Sequence, residues 1–178
     1  NFADFWKTFG EGHLFIPSFA CLALAGKFVE DLPILGTAGE FGARTTRAYL
    51  VGAPPMLLMQ FVLGASRPEE TDHSSYWDPF QDTNSVSGHA FVGAVPFIAA
   101  ADMTDSFLLK SGLYACSTLT GFSRINDDCH YLSQVILGWW MAYLACEAVD
   151  DTQRNRHGIS FMPIASTDAV GFAAVCKY

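Results

Sequence analysis

Charge is what this 178-residue chain has least of. Asp, Glu, Lys and Arg make up 16% of the residues, against roughly 25% in an average soluble domain. The balance is acidic, with ten basic residues against eighteen acidic ones and a net charge of −8. No run of Lys or Arg occurs, and that excludes nucleic acid as a partner, because phosphate contacts dominate such binding. Several catalytic signatures are missing as well. There is no G-x-S-x-G elbow, no Walker-type glycine loop and no H-E-x-x-H pair, which removes serine-hydrolase, P-loop and zincin chemistry. None of the five cysteines has an Arg six positions on, so a cysteine phosphatase is excluded too. Cys21, Cys116, Cys129, Cys146 and Cys176 form no C-x-x-C pair and no Cys/His metal spacing. Scattered through apolar segments, they read as small core residues, and their odd number leaves the redox compartment undecided.

Long uninterrupted apolar runs are also scarce. A membrane-spanning helix needs about 20 apolar residues. The charge-free stretch 48–66 has 19 residues but holds Gly52 and Pro54-Pro55, and 12–26, 88–101 and 131–146 are shorter. Asp102, Asp105 and Lys110 interrupt the region between the last two. These lengths favour a water-soluble bundle of buried helices over an integral membrane protein, with a membrane surface kept as a compatible partner. Asn1 to Asp4 carries neither a basic nor an apolar leader, and the chain is equally compatible with the mature product of a cleaved precursor.

What the chain does have is apolar bulk. Hydrophobic residues are 51% of it, enough to exclude disorder and to fill the core of one domain over residues 1–178. The expected fold is all-α, a compact bundle of about five to six helices with its core at about 44–150. Helices are expected over Leu14–Phe28, from near Arg44 to Gly64, from Ser87 to about Ala101, from Thr104 to about Phe122, and from about Cys129 to Val149. Pro33 is expected to end the first, Gly36, Gly39 and Gly42 to form a connection, and Pro54-Pro55 to kink the second. Residues 123–128 are expected as a loop. The tail, 158–178, has alternating short apolar runs around Ser166-Thr167-Asp168 and reads as an extended arm or β-hairpin.

Three short segments carry the chemistry: Arg67-Pro68, Ser87-Gly88-His89, and Ser123-Arg124 with His130 and Gln134. Each lies where a helix begins or ends beside a polar loop. Ser87, Gly88 and His89 occupy a first helical turn, where free N–H groups favour an anion and glycine lets a ligand approach the backbone. Arg67 and Arg124 adjoin apolar helices and need anionic partners, and guanidinium matches phosphate oxygens with two parallel bonds. His130 and Gln134 are one helical turn apart and share a face. Two histidines, two arginines and a helix N-terminus suit phosphoryl transfer. His13, His73 and His157 lie outside these segments and read as surface or loop residues. Trp139 and Trp140 read as core or interface residues, Trp77 and Phe80 as the pocket mouth or as anchors of the long polar loop 69–86, and Glu69-Glu70 and Asp127-Asp128 as solvated turns.

The order and spacing of these segments resemble the phosphatidic acid phosphatase type 2 superfamily, which also contains bacterial class A acid phosphatases and vanadium haloperoxidases. The family pattern is K-x6-R-P, P-S-G-H and S-R-x5-H-x3-D. Here it reads Gln60-x6-Arg67-Pro68, Val86-Ser87-Gly88-His89 and Ser123-Arg124-x5-His130-x3-Gln134, and the similarity covers about Gln60 to Cys146. The resemblance implies that His130 is the nucleophile and forms a phosphohistidine, and that His89 protonates the leaving group and then activates water. It implies that Arg67, Arg124, Ser87 and Gly88, with Gln60 in the place of the family's Lys, hold the phosphate oxygens. It implies no metal and no cofactor, with vanadate as an inhibitor.

Three positions depart from the pattern. Val86 for Pro alters only the approach to the helix. Gln60 for Lys removes a cation from the phosphate cradle, a loss of about 1.5–3 kcal/mol for one charge-assisted bond. Gln134 for Asp removes the carboxylate that would orient His130 and stabilise its charged form, leaving Asp127 or Asp128 as candidates to supply one. The resemblance therefore implies a metal-independent phosphomonoesterase, weakened at two positions, acting on a lipid phosphate or a small phosphate ester. Its alternative is a catalytically impaired relative that serves as a phosphate-binding or structural subunit, in a homo-oligomer or a larger assembly. A vanadate-dependent haloperoxidase ranks third, because it would still want the missing Lys. An extracytoplasmic setting, periplasmic or secreted, or a membrane-associated one follows from the resemblance.

Overall fold

In the computed structural model the described residues are 2–28, 33–70, 76–154, 159–165 and 170–176, with side chains described as far as residue 153. His73, His157 and Ser166–Asp168 lie outside them. The chain runs α1 (Phe2–Thr8), α2 (Gly12–Phe28), α3 (Pro33–Leu63), α4 (Gly88–Asp102), α5 (Phe107–Ser117), α6 (Leu119–Asn126) and α7 (Leu132–Arg154), then β1 (Ile159–Ala165) and β2 (Val170–Cys176). The two strands pair antiparallel, Ile159 opposite Cys176. The all-α bundle is borne out. Among the described residues there are seven α-helices against the five to six expected, because α1 had no sequence signal and α5 and α6 divide at Thr118.

α4 is the hub, packed against α3, α5, α6 and α7. Ser87 caps it, its hydroxyl accepting from the Ala90 N–H at 3.3 Å, so the helix starts at the glycine of the S-G-H segment. Phe91, Val95 and Ile98, at helical spacing, have no exposed surface. Tyr49 joins α3 to this core by donating its hydroxyl to the Val92 carbonyl at 2.8 Å.

Several local expectations are corrected. The Gly36–Gly42 stretch is helix, not connection: a side chain on Gly39 would reach the Gly26 backbone at 2.5 Å, so these glycines let α2 and α3 touch. Pro33 opens α3 instead of closing α2, because a proline at the first helical position loses no hydrogen bond. α6 extends to Asn126 across the expected loop, while α3 continues as helix on both sides of the Pro54-Pro55 pair at which a kink was expected. Of the cysteines, Cys146 alone among those described is buried, whereas Cys21 is exposed. Phe80 packs edge-on against Phe61 at 5.5 Å and Trp77 pairs with Ala65, so both anchor the loop to the end of α3.

The distribution of side chains is inverted. The buried set is rich in Ala, Val, Ser and Thr, and no leucine belongs to it among the described residues. Leu14, Leu24, Leu35, Leu50, Leu57, Leu58, Leu108, Leu109, Leu132 and Leu144 are all exposed.

Candidate active site

The site forms at one end of the bundle, where α3 ends and α4 and α7 begin. Gly64, at φ +42°, turns the chain out of α3 where a side chain would strike the Asp78 carbonyl at 2.0 Å. Gln60, in the last turn of α3, donates its amide N–H to the Val86 carbonyl at 2.7 Å. Ser85 donates to the Met59 and Gln60 carbonyls, both at 3.1 Å. α4 is tied to α7 by the Ser87 N–H donating to the Gln134 carbonyl at 3.0 Å, and Gly138 leaves room for the Ser87 carbonyl. With the Ala90 N–H taken by the Ser87 hydroxyl, the Gly88 and His89 N–H groups are left at the start of α4 without an acceptor inside the helix.

His130 and Gln134 are both buried. The Gln134 amide is fixed by its backbone partners. Its Oε1 accepts from the Tyr131 N–H at 3.1 Å, and its Nε2 donates to the Ser66 carbonyl at 2.9 Å. These partners permit only one orientation of the amide, so Oε1 faces His130 Nδ1 at 2.8 Å. Nδ1 therefore carries the proton, and Nε2 presents its lone pair. Burial pushes the His130 pKa below the ordinary histidine value. The Gln134 hydrogen bond opposes that, while Arg67 and Arg124 act with burial and Glu69 against it.

Arg124, 4% exposed, is held by its own turn. Its carbonyl accepts from the Cys129 and His130 N–H groups, and its Nη2 donates to Cys129 Sγ at 2.6 Å. Nη1 lies 3.3 Å from Asp127 Oδ2 but is not aligned for a hydrogen bond, and is a buried donor without such a partner among the described residues. Asp127 thus serves Arg124, and the amide of Gln134 stands where a carboxylate was sought. Arg67 donates through Nε to Asn84 Oδ1 at 2.7 Å and through Nη1 to Glu69 at 3.3 Å.

His89 is half-buried, with Gly10 of the α1–α2 turn pressed on its side chain; a Cβ at Gly10 would lie 2.8 Å from the His89 Cβ. Burial lowers its pKa, and Arg124, His130 and Lys7 lower it further while Glu11 raises it. The structure brings together Gln60, Arg67, Ser87, Gly88, His89, Arg124, His130 and Gln134. Sequence reasoning missed the supports: Asn84 and Glu69 on Arg67, the Ser66 carbonyl on Gln134, Cys129 on Arg124, and Gly10 on His89. None of these has a motif, since a backbone carbonyl or a single Asn leaves no spacing signal.

No curated protein and no solved structure matches the chain. The sequence pattern of the PAP2 superfamily does, over residues 50–156, a span that contains Gln60, Arg67, Ser87, Gly88, His89, Arg124, His130 and Gln134 but not Gly10. More than half of the chain lies in that match, and the chain belongs to the PAP2 superfamily.

Proposed function

We propose that the chain is a metal-independent phosphomonoesterase that works through a phosphohistidine on His130. The observation that carries this reading is the 2.8 Å contact between Gln134 Oε1 and His130 Nδ1. It leaves Nε2 unprotonated, on a side chain carried by the short connection between α6 and α7. Nε2 attacks phosphorus as the bond to the leaving oxygen breaks, and His89 gives that oxygen its proton. Water then attacks the phosphohistidine, losing its proton to His89, and releases inorganic phosphate and neutral His130. Arg67, Nη1 of Arg124, which makes no hydrogen bond among the described residues, and the Gly88 and His89 N–H groups would hold the non-bridging oxygens. Gln60 lies with its amide 3.6 Å from the space beside Gly88, so it lends a donor there without charge.

The test is phosphate release from p-nitrophenyl phosphate and from phosphatidate micelles, wild type against His130→Ala, with acid-labile, base-stable phosphate on the protein as the mark of the intermediate. Turnover unchanged in His130→Ala sinks the proposal. The faster substrate assigns a small ester or a lipid phosphate. A second reading is a phosphate-binding or structural subunit. Its support is that both carboxamides bond backbone carbonyls, Gln60 to Val86 and Gln134 to Ser66, as purely structural residues would. Vanadate binding without turnover would select it.

A further inference from the structure

The two histidines of the site are held by different means. His130 is fixed by the Gln134 amide at 2.8 Å. The His89 ring makes no hydrogen bond or ion pair among the described residues. A ring without such a bond takes its orientation from packing, and the turn between α1 and α2 presses on it. A Cβ at Gly10 would lie 2.8 Å from the His89 Cβ, 2.9 Å from Cδ2 and 3.0 Å from Cα. The backbone of Gly10 therefore rests on the imidazole itself and on the first turn of α4. Cδ2 is bonded to Nε2, so a push on that edge moves a ring nitrogen. Gly10 is buried, and Gly64 alone of the described glycines has a positive φ. What position 10 requires is closeness, not an unusual backbone conformation.

The turn is fastened on three sides. α1 packs on α6, where the Thr120 hydroxyl donates to the Trp6 carbonyl at 3.1 Å. Trp6 and Phe9 meet Phe97 of α4 with ring centroids 5.8 and 5.5 Å apart, and Phe9 meets Phe15 of α2 at 5.4 Å. Within the turn the Gly10 N–H donates to the Lys7 carbonyl at 2.9 Å, and the Glu11 N–H to that of Thr8 at 3.1 Å. A Cβ at Gly12 would lie 3.5 Å from Val92, one turn of α4 beyond His89. A turn anchored in this way can hold a ring that has no bond of its own.

The same segment brings charge to His89. Lys7 and Glu11 act on it from this side, and Arg124 and His130 from the rest of the site. Burial lowers the His89 pKa most, Arg124, His130 and Lys7 add to that, and Glu11 opposes them.

We infer that Gly10 is a positioning residue of the reaction, through which the α1–α2 turn holds the His89 imidazole toward the leaving oxygen. The turn lies outside residues 50–156, so the family pattern does not assign it this part. The inference rests on the proposed role of His89 as the acid for the leaving group. Lys7 and Glu11 then set the pH below which His89 carries its proton.

The test compares two phosphate monoesters on the full chain. The nitrophenolate of p-nitrophenyl phosphate departs without a proton, whereas the alkoxide of an alkyl phosphate needs one. kcat/KM reads the steps up to that departure, before water attacks. Gly10→Ala is expected to lose about 10²-fold in kcat/KM on the alkyl ester, and to stay within about threefold on the nitrophenyl ester. His89→Ala should show the same selectivity. Gly12→Ala, whose Cβ meets nothing nearer than 3.4 Å, is expected to keep both rates. On the alkyl ester, Lys7→Gln should move the basic limb of the pH profile to higher pH and Glu11→Gln to lower pH.

If His89→Ala is selective and Gly10→Ala either keeps the alkyl rate or loses both esters alike while still folded, the inference is overturned and the phosphohistidine reading stands. Should Gly10→Ala not fold, the exposed Lys7 and the Glu11 variants decide, and limbs that stay in place overturn the inference. A His89→Ala that loses both esters alike overturns the assigned acid, and this inference with it.

Discussion

The two ends of the bundle both bury charge, and they treat it differently. At the far end Arg44 donates to Glu40 at 2.8 Å and to Asp150 at 3.1 Å, and Lys110 lies 3.7 Å from Asp102, which also accepts from Tyr114 at 3.2 Å. Its one buried atom without a hydrogen bond is Asp102 Oδ2, on a carboxylate that already has its counter-cation. The other two such atoms among the described residues are donors, the indole Nε1 of Trp6 on α1 and, at the site end, Nη1 of Arg124. Arg67 and the first-turn N–H groups of α4 lie at the same end. Both ends therefore hold paired charges, with Asp127 3.3 Å from Arg124 Nη1 and Glu69 3.3 Å from Arg67 Nη1, and they differ in which kind of buried atom is left without a hydrogen bond. A buried donor left unpaired costs about 1–3 kcal/mol and persists where a ligand completes it. The comparison separates a clamp from a receptor.

Substitutions at the two ends sharpen that contrast. The largest effect on turnover is expected from His130→Ala, a loss of at least ~10³-fold in kcat, since removing a covalent nucleophile leaves only binding and electrostatics. Gln134→Ala is expected to cost about 10²-fold in kcat, because it frees the His130 tautomer and strands the Ser66 carbonyl. Gln134→Glu tests the same bond from the other side. It sets a carboxylate against the Ser66 carbonyl but stabilises charged His130, so the acid limb of the pH–rate profile should move to higher pH. Gln60→Lys keeps a donor toward Val86 and adds the missing cation, and roughly tenfold tighter vanadate inhibition is expected. Arg44→Ala, at the far end, should leave turnover within about twofold while costing ~2–3 kcal/mol of stability by thermal unfolding. A large loss of turnover in that variant would break the comparison.

The pH dependence follows from the two histidines. Burial holds both below the ordinary value of about 6.5. His130 therefore stays neutral and nucleophilic as the pH falls through that range, while His89 carries the proton it must donate only below it. Turnover should rise as the pH drops from 7 and be lost on the basic side. In His89→Ala that basic limb should flatten, and a wild-type optimum above pH 8 would contradict the assigned roles.

Much of the site was legible in the sequence because its residues sit at helix ends with fixed spacings. The Ser87 cap, the one-turn step from His130 to Gln134 and the arginines beside apolar helices are local facts, set by the chain within a few residues. So were the all-α class and the helices α4 and α7, whereas the division of α5 from α6 was not. The glycines of α3 misled because a glycine that breaks a helix in isolation is a contact surface when another helix packs on it, as Gly26 does on Gly39. Pro33 misled because its meaning depends on which side the helix lies. Only the tertiary structure decided that Ser66, 68 residues from Gln134, would fix the amide. It alone turned the leucines outward and the serines and threonines inward. Sequence determines which side chains are apolar, but which of them face a neighbour and which face the surroundings depends on contacts between segments far apart in the chain.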